Sequence, residues 1–173
     1  QRDQLSPSWR HTAEASVAKH LTRLINAPSC HIGSFLSVGS ELNLTEWHQS
    51  LWAQGHNLYV PKIRSETTME LVHLPDASYS IPGRFGIPTS KKDDAVEPTA
   101  LDFLVMPLLG FTRDGKRLGM GGGFYDRYLE HVPKQHPLRI GVAFSIQELD
   151  ALAEEPWDQR LDVIVTEAEI IRP

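Results

Sequence analysis

What most restricts this chain is an alternation. Short, nearly continuous apolar runs bounded by proline or glycine are separated by stretches whose apolar residues recur at helical spacing. Strands of a parallel sheet read as apolar runs because both faces are covered, and they need crossover connections, usually helical. Ser6-Pro7 offers a cap and a first-turn proline, and Ala13, Val17, Leu21, Leu24 and Ile25 then form one face until Asn26 and Pro28 stop it. His31 to Val38 reads as a buried strand. Asn43 or Thr45 can cap a second helix, with Leu44, Trp47, Leu51 and Trp52 on its apolar stripe and Gly55 at its end. Leu58-Tyr59-Val60 is the next strand, Met69 to Leu74 an edge strand, and Leu101 to Met106 the strongest strand signal. A short helix over Tyr125 to His131, a strand from Arg139 to Phe144, a helix from Gln147 to Glu155 and a strand from Asp162 to Thr166 complete the pattern. The expected fold is α/β: a single three-layer α/β/α domain over residues 1–173 with a mostly parallel central sheet.

At 173 residues such a domain can bury a core without disulfide or metal support. Cys30 is the one cysteine, which excludes an internal disulfide and favours a reducing, cytoplasmic setting. No apolar run approaches the ~20 residues of a membrane span, and the opening residues lack the layout of a signal peptide. The chain opens on Gln1 rather than Met, so trimming at the front is expected. Its 17 Lys and Arg against 22 Asp and Glu leave a net charge of −5, unlike the basic field of a nonspecific nucleic-acid binder. None of the eight histidines has metal-binding HExxH spacing, and they are expected to be solvated or singly hydrogen-bonded. Neither a nucleic-acid nor a membrane partner is expected, and a monomer is.

The glycines carry the functional signal. Six of the twelve lie between Gly110 and Gly123, after the strongest strand and before a helix. Gly119, Gly121, Gly122 and Gly123 occupy four of five positions, enough to turn several backbone N–H groups toward one anion. Lys116 and Arg117 add full positive charge, and Asp126 supplies a carboxylate suited to Mg²⁺ beside a phosphate. Two familiar phosphate motifs fail. Gly110 to Lys116 has P-loop spacing, but Arg117 stands where the Ser/Thr hydroxyl belongs. The dinucleotide fingerprint would start at Gly119 and Gly121 but meets Phe124 in place of its third glycine. A phosphate-binding loop of another type is the better reading.

Leu104-Val-Met-Pro107, Gly110-Phe111 and the run Gly115-x-Arg117-Leu-Gly-Met-Gly-Gly-Gly-Phe-Tyr-Asp126-Arg127 resemble the signature of the 5-formyltetrahydrofolate cyclo-ligase family. The resemblance continues in Phe35 to Asn43 with Glu41, in Tyr59-Val-Pro61, in Phe85-Gly-Ile-Pro88, and in Asp158 to Glu167. It implies an ATP- and Mg²⁺-dependent ligase acting on 5-formyltetrahydrofolate, with or without a polyglutamate tail. The formyl oxygen would attack the γ-phosphate, N10 would close onto the activated carbon, and phosphate would leave to give 5,10-methenyltetrahydrofolate. By the same resemblance Arg117 and Tyr125 are catalytic, and Lys116 with Arg117, Leu118, Gly119, Met120, Gly121, Gly122, Gly123, Phe124 and Tyr125 would contact ATP. Glu41, together with Met120 to Phe124, would hold the folate, and Asp126 and Asp158 the Mg²⁺. Tyr59, Phe85 and Phe124 are expected near the pterin. The family's basic opening helix contributes to its ATP site, and Arg2 stands where that stretch would end.

Thr89, Thr112, Met120 and Gly122 depart from residues common in the family. Two other functions are weighed: a noncatalytic folate- or nucleotide-binding regulator of the same fold, and an enzyme acting on sugar phosphates or CoA thioesters. The length of the Arg117–Asp126 run disfavours the last. Trp47 and Trp52 read as helix packing, Cys30 as an unreactive thiol, and Lys91-Lys92-Asp93-Asp94 as a solvated loop.

Overall fold

The computed structural model of the chain describes residues 1–134 and 136–173. Its first helix, α1 (Pro7–Leu24), starts where Ser6 Oγ accepts the Trp9 N–H at 3.3 Å, with Pro7 in the first turn. Then come β1 (His31–Gly33), α2 (Thr45–Ala53), β2 (Asn57–Ile63) and β3 (Met69–His73). β4 (Ser80–Ile81) and β5 (Thr89–Ser90) form a small antiparallel pair. β6 (Ala95–Val96) leads to β7 (Phe103–Pro107), and β8 (Gly110–Phe111) pairs with β9 (Arg117–Leu118) just before α3 (Phe124–Leu129). β10 (Leu138–Val142), β11 (Val163–Val165) and β12 (Ile170–Ile171) end the chain.

The main sheet has eight strands in the order β12-β11-β10-β7-β1-β2-β3-β6. The five from β11 to β2 run parallel, and β12 and β3 pair antiparallel at either side of them. The two-residue period of the strands sorts their side chains into two cores. Ile32, Leu58, Val60, Val105, Ile140, Val142, Val163 and Val165 pack with Val17 and Leu21 of α1 and Trp47 and Leu51 of α2. The alternate residues Leu104, Met106 and Ile164 face the other way, onto Phe111 and Leu129 of α3. Both faces are thus covered, the second by one six-residue helix and its flanking loops.

Four expectations change. Strand β1 ends at Gly33; Ser34 donates its N–H to Tyr59 O at 2.8 Å, and Phe35 to Val38 leave the sheet. The expected edge strand, β3, is covered on its outer side by β6, where Leu71 pairs with Val96 and Val72 with Ala95. No helix forms over Gln147 to Glu155: a single 3₁₀ turn, Ser145–Gln147, is followed by irregular chain. Gln147 is buried and its amide donates to Leu108 O and Leu109 O, while the Leu149 N–H goes to Phe111 O. Backbone bonds to a neighbouring loop replace the helical ones. Finally, α2 is capped at Leu44, with Asn43 Oδ1 accepting the Thr45 N–H at 2.9 Å.

His48 of α2 is 2% exposed, and its Nε2 shares a 2.8 Å hydrogen bond with Ser34 Oγ. Burial lowers its pKa from 6.5 to about 4, since a buried imidazolium loses its hydration. The unfolded chain therefore binds this proton more tightly than the folded one. Stability from His48 is complete above pH 6.5 and falls as pH drops toward 4, by about 3 kcal/mol in all. Urea midpoints measured from pH 7 to pH 4 should show this loss, and His48→Gln should flatten that part of the curve. Equal slopes in both proteins would remove His48 as its source.

Candidate active site

Ligands of open α/β sheets gather beyond the carboxyl ends of the parallel strands. A cleft of about 600 Å³ opens there. Each central strand sends a wall into it. Phe35, Leu36, Val38 and Glu41 follow β1, Pro61 and Ile63 end β2, and Pro107 ends β7. Leu152, Ala153, Trp157 and Asp158 come from the irregular segment after β10, and the floor is the run from Arg117 to Asp126.

Gly121 and Gly123 have φ of +89° and +65°, conformations that an L side chain adopts only with strain. Among the described residues, the N–H groups of Gly121, Gly122 and Gly123 donate to no protein acceptor. They are free to meet an anion in the cleft. Arg127 holds the loop from outside: its guanidinium donates to Gly122 O and to Thr67 O in the β2–β3 turn and lies 5.3 Å from the Phe124 ring centroid. With six residues, α3 is too short to add much of a helix dipole, so the loop itself supplies the donors.

Arg117 and Asp126 form the strongest charged contact of the cleft. Arg117 Nη2 donates to Asp126 Oδ1 at 2.6 Å, with the two side chains 6% and 20% exposed. The same Oδ1 accepts the Gln159 N–H at 2.9 Å, and Arg117 Nε donates to Gln159 O at 3.3 Å. Asp126 Oδ2 is left for a further partner. Asp158 is similar: its Oδ2 accepts the Glu155 N–H at 2.8 Å, leaving Oδ1. Among the described residues no group of three or more His, Cys, Asp or Glu converges. Two carboxylates with spare oxygens suit Mg²⁺, which takes one or two carboxylates and fills its other positions with water and phosphate oxygens.

At the other end, Glu41 Oε2 accepts the Val38 N–H at 2.8 Å. Burial pushes the carboxyl upward in pKa against the pull of that N–H and of Arg2. Arg10 of α1 fixes the backbone beneath it, donating to Ser40 O and Glu41 O at 3.1 and 2.9 Å. Arg2 Nε donates to Ser40 Oγ at 3.0 Å. Burial, then the nearby Glu41, push the Tyr125 phenol far up, so it keeps its proton at neutral pH.

Of the residues expected to contact ATP, folate or Mg²⁺, Glu41, Arg117 to Asp126 and Asp158 line this cleft and Lys116 does not. Lys116 lies outside its lining, with Nζ 3.7 Å from Asp114, because it precedes β9 in the turn of the β8–β9 hairpin. Phe85 and Phe124 line the cleft, but Tyr59 does not. Tyr59 sits near the start of β2, hydrogen-bonded to His31 Nδ1 at 3.0 Å, whereas the cleft lies beyond the strand's far end. Cys30 is buried, and burial followed by Asp102 raises its thiol pKa, which leaves it inert. Gln159 and Arg10 escaped the sequence reading, and Arg127 stood in the signature without a role, since their contacts reach partners 31 to 60 residues away. Trp157, 62% exposed on the cleft rim, had one local signal, its place beside Asp158.

Residues 1–167 match the model of the 5-formyltetrahydrofolate cyclo-ligase family. The 5-formyltetrahydrofolate cyclo-ligase of Haemophilus influenzae is 34% identical over 171 residues, covering 95% of this chain and 91% of that protein. The Escherichia coli K12 protein of the same name is 33% identical over 143 residues, 80% of this chain and 79% of its own. Among solved structures, the 5,10-methenyltetrahydrofolate synthetase of Aquifex aeolicus superposes with a TM-score of 0.83 at 29% identity, covering 99% of this chain and 86% of that one. The synthetase of Mycoplasma pneumoniae gives a TM-score of 0.78 at 27% identity, covering 96% and 92%.

Gly123→Ala should destabilise the fold by about 1–2 kcal/mol, because alanine must hold a left-handed φ. Gly119→Ala, where φ is ordinary and the added methyl meets only Arg117 Nη1 at 3.4 Å, should change little. Urea midpoints of the two variants check this; equal losses would place the strain elsewhere.

Proposed function

The chain belongs to the 5-formyltetrahydrofolate cyclo-ligase family, it is an enzyme converting 5-formyltetrahydrofolate to 5,10-methenyltetrahydrofolate, and we propose that it does so with ATP and Mg²⁺ in the cleft floored by Arg117 to Asp126. The single observation that supports this site most is the gathering of a glycine-loop anion cradle, an arginine and two half-free carboxylates in one cleft that also holds an apolar, Glu41-bearing end. Ring closure requires N10 to add to the formyl carbon and the formyl oxygen to leave. An amide oxygen is a poor leaving group, so it needs activation, and phosphoryl transfer is the activation this floor is equipped for. Such transfer depends on positioning and on neutralising charge.

The N–H groups of Gly121, Gly122 and Gly123 would hold the nucleotide phosphates. Arg117, confined by Asp126 and Gln159, is placed to stabilise charge on the transferred group. Asp126 and Asp158 would hold Mg²⁺, which when bound supplies further neutralisation of the phosphates. Glu41, with one oxygen fixed by Val38 and the other open to the cleft, would accept hydrogen bonds from the amino and ring N–H groups of the pterin. Phe85 and Phe124 offer ring faces for it, and Phe35, Ile63 and Met69 exclude water. Tyr125 would donate a hydrogen bond from a phenol that keeps its proton.

Incubation with 5-formyltetrahydrofolate, ATP and Mg²⁺ should raise the methenyl absorbance, and removing Mg²⁺ with EDTA should stop it. No rise at high enzyme concentration would refute the reading. Asp126→Asn keeps an acceptor for Arg117 yet weakens the metal site, so turnover should fall about 100-fold; wild-type rates would take Asp126 out of it. Glu41→Gln should raise KM for the folate with little change in KM for ATP. A shift in the ATP value alone would reverse that assignment.

A further inference from the structure

Arg139 is 3% exposed, and it lies on the face of β10 that turns toward α3, opposite the neighbouring Ile140. A guanidinium stays charged when buried, so its position must be held by hydrogen bonds. Nη2 donates to Val132 O and Pro133 O at 3.1 and 3.4 Å. Nη1 makes the shortest contact, 2.8 Å to Gln159 Oε1. Nε is buried with no acceptor among the described residues, which leaves Gln159 as the one side chain that this cation bonds.

Gln159 is the residue whose peptide groups touch both charges of the cleft. Its N–H reaches Asp126 Oδ1 at 2.9 Å, and its carbonyl accepts from Arg117 Nε at 3.3 Å. It also follows Asp158 directly, and its Nε2 donates to Trp157 O at 3.2 Å. Neither helix nor strand holds this segment, so the backbone here depends on side-chain anchors.

We propose that Arg139 and Gln159 are positioning residues for the nucleotide half of the site, Arg139 anchoring the Gln159 side chain so that the Gln159 backbone sets where Arg117 and Asp126 stand. This rests on the function proposed above. The folate end is held by a different set, Val38 and Arg10 around Glu41, which shares no hydrogen bond with Gln159. The consequence is asymmetry between the two substrates.

The test is steady-state kinetics on the full chain. Gln159→Ala removes Oε1 but keeps both backbone contacts. It should raise KM for ATP and the Mg²⁺ concentration at half-maximal rate about tenfold, with KM for the folate unchanged and the melting temperature little altered. Gln159→Glu, which restores an acceptor for Arg139, should recover most of the loss. Arg139→Met should reproduce Gln159→Ala; if it fails to fold, the two Gln159 variants still decide. An unchanged KM for ATP in Gln159→Ala, or parallel rises for both substrates that follow a fall in melting temperature, would overturn the proposal. Lack of turnover by the wild-type chain would instead overturn the underlying function and this proposal with it.

Discussion

Parallel pairing of β7 with β1 on one side and β10 on the other is the constraint from which the rest of the molecule follows. Parallel strands all end at the same edge, so the segments leaving β1, β2, β7 and β10 must emerge side by side. Glu41, Pro61, the glycine loop and Asp158 lie far apart in sequence, yet they meet in one cleft for this reason. The chirality and covering of the sheet then need only α1 and α2 on one face and a thin layer around α3 on the other. Because α3 is so short, the space above that edge stays open for a ligand.

The cleft is electrostatically divided. Its floor carries Arg117 and Asp126 as a largely buried pair, and burying such a pair is costly unless further hydrogen bonds complete it. Gln159 supplies them to both partners. The opposite end carries a carboxylate in apolar surroundings, with Glu41 raised in pKa by its burial and Tyr125 held protonated beside it. Charged phosphates suit the first environment, and a flat ring with N–H donors suits the second. One fold thereby presents two chemically distinct environments within a single volume.

How much of this was legible in the sequence varies with the range of the interactions. The glycine loop was readable because its information is local: positive φ at Gly121 and Gly123 and charges at Arg117 and Asp126 all fall within ten residues. The helix α1 was readable for the same reason, through Ser6, Pro7 and an uninterrupted periodic face. The segment after Gln147 misled, since its helical pattern lost to long-range bonds from Gln147 to Leu108 and from Leu149 to Phe111. Tyr59 misled in a subtler way. Its neighbours in the strand matched the family pattern, but its place along β2 put it at the wrong end of the sheet for the cleft.

By itself, then, the sequence determined the three helices α1, α2 and α3, the main strands, the parallel character of the central sheet and the position of the glycine loop, because periodicity and backbone freedom are properties of neighbouring residues. Tertiary structure alone decided that Lys116 points away while Arg117 faces in, that Gln159 bridges Arg117 and Asp126, and that a buried Arg139 stands behind it. Those outcomes depend on which loops the parallel edge brings together and on which buried charges then require partners, and neither is encoded within any one stretch of chain.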